Sequence, residues 1–142
     1  MGVLRDLSQS ECRARLGEHE VGRIALLTPD GPQVIPVNYA LVDEAVVFRT
    51  SPLTLVATYG REAKIAFEVD HIDRATKAGW SVLVRGTTEP VFDIGAIEHI
   101  RRIWEPASWA DGARNLFIKL TIDDVSGRRI GDLEPVPALL QY

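Results

Sequence analysis

Six short runs rich in β-branched and aromatic residues constrain the fold of this chain more than any other feature. They span residues 21–28, 33–39, 45–50, 64–69, 80–88 and 116–122. Several alternate with the period of a half-buried strand, as where Trp80, Val82 and Val84 share one face. Turn residues such as Pro29-Asp30-Gly31-Pro32 join neighbouring runs. The pattern predicts a mainly β fold, a closed or nearly closed six-stranded antiparallel barrel with a few short helices.

Helical signals are few and lie between the strands. Ser8 and Glu11 form a capping box that predicts a helix over residues 9–18. A second short helix is predicted over 53–60, and Asp93 can cap a third that carries a repeat of isoleucines. The chain is therefore interpreted as one domain, 1–142, with an N-terminal helical segment at 1–20 and an irregular tail at 133–142.

Composition narrows the functional class. The chain has 142 residues, 46% of them apolar, and a formal net charge of -4, which suits a soluble globular protein and lacks the basic footprint of a nucleic-acid reader. No apolar run approaches the roughly 18 residues that span a bilayer. The single Cys12 excludes an intramolecular disulfide framework and is interpreted as a small buried hydrophobe. We expect a cytoplasmic protein with neither nucleic acid nor membrane as a partner.

No catalytic constellation is evident. The three histidines, at 19, 71 and 99, stand in no recognised arrangement. Glu68, Asp70, His71 and Asp73 could together hold a hard cation, but their spacing is typical of a solvated hairpin loop. We therefore predict no metal site, and the sequence identifies no catalytic residue.

Two segments favour binding of an anionic, planar ligand. Arg49, Thr50 and Ser51 end a strand and open the predicted helix near residue 53, so a guanidinium, two hydroxyls and free N–H groups converge where a phosphate could bind. The alternative is a paired surface arginine with Ser51 as an ordinary helix cap. Pro36 interrupts another strand, which predicts a bulge or an edge whose backbone could face a ligand; the alternative is an edge strand that avoids aggregation.

The order and spacing of six segments resemble the pyridoxamine 5'-phosphate oxidase-like family of flavin-binding split barrels. They are GRIA at 22–25, PVNY at 36–39, VFRT at 47–50, AFEVD at 66–70, GWSVLVRG at 79–86 and SGRRI at 126–130. The resemblance covers residues 7–130. It implies a six-stranded antiparallel split barrel, a homodimer with FMN or the deazaflavin F420 at its interface, and flavin-dependent oxidation or reduction of a small organic molecule.

The resemblance also implies roles for individual residues. Pro36, Val37, Asn38 and Tyr39 would line the flavin ring, and Arg49, Thr50 and Ser51 would meet the phosphate. Trp80 and Ser81 would add contacts from another strand, and Trp109 would form a wall on the substrate side. One position departs from the pattern, since similar sequences often carry a lysine where this chain has Leu55.

Three functional hypotheses follow. The first is an FMN-dependent oxidoreductase, in which the flavin carries the chemistry and the protein supplies position and electrostatics. The second uses F420, whose longer acidic tail would need further cations, for which the candidates are Arg61, Lys64, Arg74 and Lys77. The third is a non-catalytic flavin-binding, haem-binding or ligand-sensing module, which the leucine at position 55 favours.

Overall fold

The computed structural model describes residues 3–104 and 116–131. Seven strands and three helices follow one another in the described residues. In chain order they are β1 (Arg5–Asp6), α1 (Gln9–Gly17), β2 (Val21–Thr28), β3 (Gly31–Val42), β4 (Ala45–Thr50), α2 (Leu55–Tyr59), β5 (Lys64–Asp73), β6 (Ala78–Val91), α3 (Ile94–Ile103) and β7 (Leu116–Ile130).

Six of these strands close into an antiparallel barrel. The sheet runs β1-β7-β4-β3-β2-β5-β6, and β6 pairs again with β7 to complete the ring. The prediction of a mainly β, six-stranded antiparallel barrel is confirmed, with one addition. β1 pairs its two residues with Arg128 and Arg129 of β7, and a two-residue strand has no periodicity that sequence analysis could detect.

Several strands extend beyond their predicted ends. β5 continues to Asp73 and β7 to Ile130, because the β5–β6 and β6–β7 ladders run on through polar residues. The predicted ends were set where apolar alternation stops. Backbone hydrogen bonds need no apolar side chain, so strand pairing continues beyond the last residue of the apolar alternation.

Alternate residues of every barrel strand fill the interior. Tyr39 packs edge-on against Phe67, with ring centroids 4.9 Å apart, and its hydroxyl donates to the carbonyl of Leu16 at the end of α1. The predicted capping box is present, with the Ser8 hydroxyl accepting from the Glu11 N–H. Cys12 of α1 is fully buried, and burial raises the pKa of its thiol. The prediction that it behaves as a small hydrophobe is confirmed.

α3 covers part of the outside of the barrel. Asp93 caps it, as predicted, by accepting from the Ala96 N–H at 2.9 Å. Ile100 packs with Val42, Val47 and Phe117 in a second, smaller apolar cluster. The outer faces of β4 and β7 are therefore shielded here, while the core lies on the opposite faces of the same strands.

The prediction for α2 was wrong at its start. The helix begins at Leu55 rather than 53, and Thr54 is its cap, its hydroxyl accepting from the Ala57 N–H at 3.2 Å. Ser51 lies before the cap, and its carbonyl accepts from the Thr54 hydroxyl. Two hydroxyl residues three positions apart could each cap the helix, and only the turn geometry decides between them. Among the described residues, no helix has both the length and the apolar character needed to cross a membrane.

Candidate functional site

Strands β3 and β4 separate at one point, which creates an opening in the described barrel. Their ladder begins at the Asp43–Glu44 turn and ends where Tyr39 pairs with Phe48. Beyond it β4 still pairs with β7 as far as Thr50, while residues 31–38 of β3 pair with β2 alone within the described part of the chain. The next residues along the two strands, Asn38 and Arg49, therefore lie on opposite sides of the opening.

Pro36 lies on this edge, as the sequence predicted. The alternative of a bulge was wrong, because the β2–β3 register runs without a shift from Val21–Asn38 to Thr28–Gly31, all in described residues. The Tyr39 N–H donates to the Glu20 carbonyl at 2.9 Å. Because bonding alternates along an antiparallel ladder, the backbone groups of Pro36 and Val34 then point away from β2, toward the opening. Proline at this position costs no hydrogen bond to β2.

The residues 36–39 divide between the two faces of β3. Val37 and Tyr39 are buried in the barrel core, so their side chains cannot reach a ligand on the outer surface. Pro36 and Asn38 fall on the outer face, where Pro36 is exposed and Asn38 half-buried. Side-chain contacts from this segment to an outer ligand would come from Pro36 and Asn38, and the rest from the backbone.

The predicted phosphate residues lie just across the opening. Arg49 is half-buried and shares a face with Val47, two residues earlier. Thr50 is tied to the cap of α2, since its hydroxyl and that of Thr54 are 2.6 Å apart. Ser51 is exposed. Arg49, the exposed Ser51 and the β3 edge thus lie around the same opening.

Trp80 and Ser81 lie elsewhere on the barrel. They belong to β6, which is separated from β3 by β2 and β5, about 14 Å across three strand spacings. Trp80 is buried, 4% exposed, with its ring centroid 5.2 Å from that of His19. Ser81 faces outward between Asp70 and Arg128. Trp109 lies outside the described residues.

A cleft of about 740 Å³ contains Ser81 in its wall. It lies over the ends of β5, β6 and β7, and its lining includes Glu68, Asp70, Ile72, Trp80, Arg128 and Ile130. β6 is the middle strand of the three. Its Gly79 and Ser81 are small residues and form the floor of the cleft, between larger side chains on β5 and β7. The volume falls in the range of small-molecule and cofactor sites.

Sequence analysis placed Glu68 at the end of a predicted strand and interpreted its cluster with Asp70 as a solvated hairpin loop, whereas in the structure the strand continues through both residues. Both lie on β5 and face outward, and both bind the same atom of Arg23 on β2: Arg23 Nη1 is 2.9 Å from Glu68 Oε1 and 3.2 Å from Asp70 Oδ2. The arrangement needs β2 beside β5, and strand order cannot be read from alternation alone. Among the described residues, no group of three or more His, Cys, Asp or Glu side chains could hold a metal ion.

The carboxyl of Glu68 is electrostatically strained. Burial first, then the hydrogen bond and repulsion from Asp70, raise its pKa to about 7 against the opposing effect of Arg23. In the unfolded chain this carboxyl would titrate near 4.5. Its contribution to stability is therefore complete below pH 4.5 and is lost as pH rises through 7.

We expect Glu68→Gln to stabilise the fold by about 1 kcal/mol at pH 8 and to have little effect at pH 4. The magnitude is well below the full linkage value because the side chain is one third exposed and screened by water. Urea unfolding of wild type and variant at both pH values measures the difference. Glu89→Gln, on an exposed site of β6, is the matched control. A stabilisation that is equal at the two pH values would contradict this assignment.

Comparison with known proteins gives a consistent result. The model of the family described as pyridoxamine 5'-phosphate oxidase matches residues 8–129. An uncharacterised protein of Mycobacterium tuberculosis is 28% identical over 130 residues, covering 88% of this chain and 84% of that protein. A solved FAD binding protein from Mycobacterium smegmatis is 27% identical with a TM-score of 0.80, covering 91% of this chain and 100% of that one. A FAD-binding protein from Mesorhizobium loti is 25% identical with a TM-score of 0.70, covering 93% and 100%.

Proposed function

We propose a flavin-dependent function from the premise that this chain belongs to the pyridoxamine 5'-phosphate oxidase family, whose model matches residues 8–129. The protein would bind a flavin at the opening between β3 and β4 and transfer hydride between the flavin and a small organic molecule. The observation that supports this most is the separation of the two strands at Asn38 and Arg49. It brings a cation and an outward-facing strand edge to the same opening.

The chemistry of these groups fits a flavin. Arg49 supplies a guanidinium and Ser51 a hydroxyl, which are the donors that a phosphate requires. The β3 edge presents backbone groups at residues 34 and 36, and the ring of a flavin carries carbonyl and N–H groups that such an edge can bind. Pro36 presents only its carbonyl, so it would bind a ring donor and not a ring acceptor. A bound flavin would supply the hydride chemistry, and these residues would position it.

The structure separates the candidate cations for an F420 tail into two groups. Lys64 begins β5 and Arg61 precedes it, whereas Arg74 and Lys77 follow its other end. A ten-residue strand spans about 33 Å, so the four do not line a single groove of one chain. We therefore propose the unit that FMN and FAD share, riboflavin 5'-phosphate. FMN is the form implied by the resemblance, and the two relatives described above are named as FAD-binding proteins.

Titration of the purified protein with FMN, FAD, F420 and riboflavin tests this proposal. We expect the fluorescence of FMN or of FAD to change when the protein binds it, and we expect riboflavin, which lacks the phosphate, to bind at least tenfold more weakly. Binding of F420 alone would replace the proposed cofactor. Binding of none of the four would contradict the proposal and favour the non-catalytic alternative, which the leucine at position 55 supports.

We also propose that the protein is a homodimer. Leu27 and Val34, 77% and 67% exposed, lie on the outer faces of the adjacent strands β2 and β3, and Val21 joins them there. Burial of such a surface between two copies is favourable, and obligate homodimers bury above about 2,000 Å² in total. Sedimentation equilibrium at micromolar concentration should show a dimer, and Leu27→Asp should shift it toward monomer. A wild-type protein that is entirely monomeric would contradict this proposal.

A further inference from the structure

The Glu68–Asp70 pair has more negative charge than its partner can neutralise. A single guanidinium atom of Arg23 lies within 3.2 Å of both carboxyl groups. The two side chains are only 34% and 27% exposed, so water screens them incompletely. Two carboxyl groups that share one cation in this setting retain a proton that isolated carboxyls would lose.

The other charged groups nearby are engaged elsewhere or lie farther away, so the pair retains its shared proton near neutral pH. On β6, Arg85 is engaged with Asp124 of β7 at 3.1 Å, and Arg128 of β7 lies beyond Ser81 in the row of Asp70. Asp73, farther along β5, binds the N–H groups of Ala75 and Thr76. Together with the repulsion of Asp70, burial raises the pKa of Glu68 to about 7. Small changes in its surroundings will therefore change its protonation at neutral pH.

Glu68 lies two strand spacings from Pro36, about 10 Å, so a flavin bound at the β3–β4 opening that extends across β2 would cover the pair. Both carboxyl groups are in the wall of the 740 Å³ cleft, together with the predicted flavin contact Ser81. In the sheet, Glu68 pairs with Arg23, and Arg23 pairs on its other side with Pro36, the predicted ring contact. The carboxyl pair is thus between the two segments that sequence analysis assigns to the cofactor.

We propose that the Glu68–Asp70 pair is a proton-loading site of this cleft: when a flavin held at the β3–β4 opening extends across β2 and covers the pair, the pair takes up a proton from solvent and holds it against the bound molecule. This inference rests on the proposed function. A ligand over the pair removes water from the exposed part of both carboxyls, and desolvation disfavours their charged form. Proton uptake is therefore the expected sign.

The loaded proton has a chemical use. An oxygen or nitrogen that becomes basic during a hydride transfer needs a proton. The O–H bond of the carboxyl would break as the new O–H or N–H bond forms, leaving a carboxylate beside Arg23. Nothing is oxidised or reduced in this proton transfer. The carboxylate takes a new proton from solvent once the bound molecule has left the cleft. Asp70 acts here as a positioning residue, since it keeps Glu68 protonated.

The first experiment follows the carboxyl groups directly. In the full-length protein with ¹³C-labelled glutamate and aspartate carboxyls, we expect one resonance that titrates near pH 7 and is lost in Glu68→Gln. Asp70→Asn should move this midpoint toward the ordinary range of glutamate, a change that a merely structural role would not produce. Glu89→Gln should leave it in place. A wild-type spectrum with no carboxyl titrating near neutrality would overturn the assignment.

The second experiment measures the proton taken up. FMN binding is followed by calorimetry at pH 7.5 in HEPES and in Tris, which differ in ionisation enthalpy and carry no phosphate that would compete for Arg49. The phosphate of FMN contributes equally to every variant, so the decisive quantity is the difference between Glu68→Gln and Glu89→Gln. We expect proton uptake in wild type and Glu89→Gln that Glu68→Gln lacks. FMN binding with the same proton count in all three proteins would overturn only this inference, whereas absence of any flavin binding would show that the proposed function itself has failed.

Discussion

Replacing Gly86 with alanine is expected to destabilise the protein by about 3 kcal/mol or more, which for a chain of this size is a large part of its total stability. Gly86 lies on β6 where the register with β7 shifts. A Cβ at this position would be 1.9 Å from the carbonyl oxygen of Thr121 and 2.9 Å from Cδ1 of Leu120. The first clash is with backbone, so a side-chain rotation cannot relieve it.

The expected loss of stability is large because β6 and β7 would have to move apart. The β6–β7 ladder is the pairing that closes the barrel, and displacing the Thr121 carbonyl would break bonds within it. Urea unfolding monitored by circular dichroism measures the effect. Gly95→Ala on α3 is the matched control, since its Cβ would meet only the Asp93 carboxylate, at 3.2 Å, and alanine favours a helix. A Gly86→Ala protein that unfolds at the wild-type urea concentration would contradict this account of the bulge.

The sequence predicted the elements of this fold better than their arrangement. Alternation identified the barrel strands because each hides one face in the core, and the capping residues Ser8 and Asp93 marked the starts of α1 and α3. The bulge at Gly86 could not be foreseen, because it depends on which strand lies beside β6. The same limit hid the Arg23–Glu68–Asp70 cluster, whose members are 45 and 47 residues apart in the chain.

The candidate site was also predictable only in part, because single residues indicate local structure but not what lies beside them. A proline within a strand already indicates an edge, so the position of Pro36 followed from its lack of an N–H. The proline does not indicate which face of the strand the neighbouring side chains occupy. The structure places the side chains of Val37 and Tyr39 in the core. The cap at Thr54 rather than Ser51 also depends on the turn, and it leaves Ser51 exposed beside Arg49.

Replacing Arg49 with alanine is expected to weaken FMN binding by about 30-fold, equivalent to about 2 kcal/mol, because a charge-assisted contact to phosphate is lost. Arg49 lies at the end of the β3–β4 ladder, on the face away from the barrel core. Fluorescence titration gives the affinity, and circular dichroism checks that the variant is folded. Arg49→Lys, which keeps the charge but not the bidentate geometry, should lie between wild type and alanine. An unchanged affinity for Arg49→Ala would show that the phosphate binds elsewhere.

The converse change, Leu55→Lys, is expected to tighten FMN binding and to steepen its dependence on salt. Leu55 is the first residue of α2 and 43% exposed, and it follows Thr54, whose hydroxyl meets that of Thr50 next to Arg49. A lysine there would add a second cation near the predicted phosphate site, and attraction between partly exposed charges falls as ionic strength rises. Leu53→Lys is the control, because residue 53 is 95% exposed and a cation there adds the same net charge. If both lysine variants tighten binding equally at low salt, the gain comes from net charge alone and position 55 has no special relation to the phosphate.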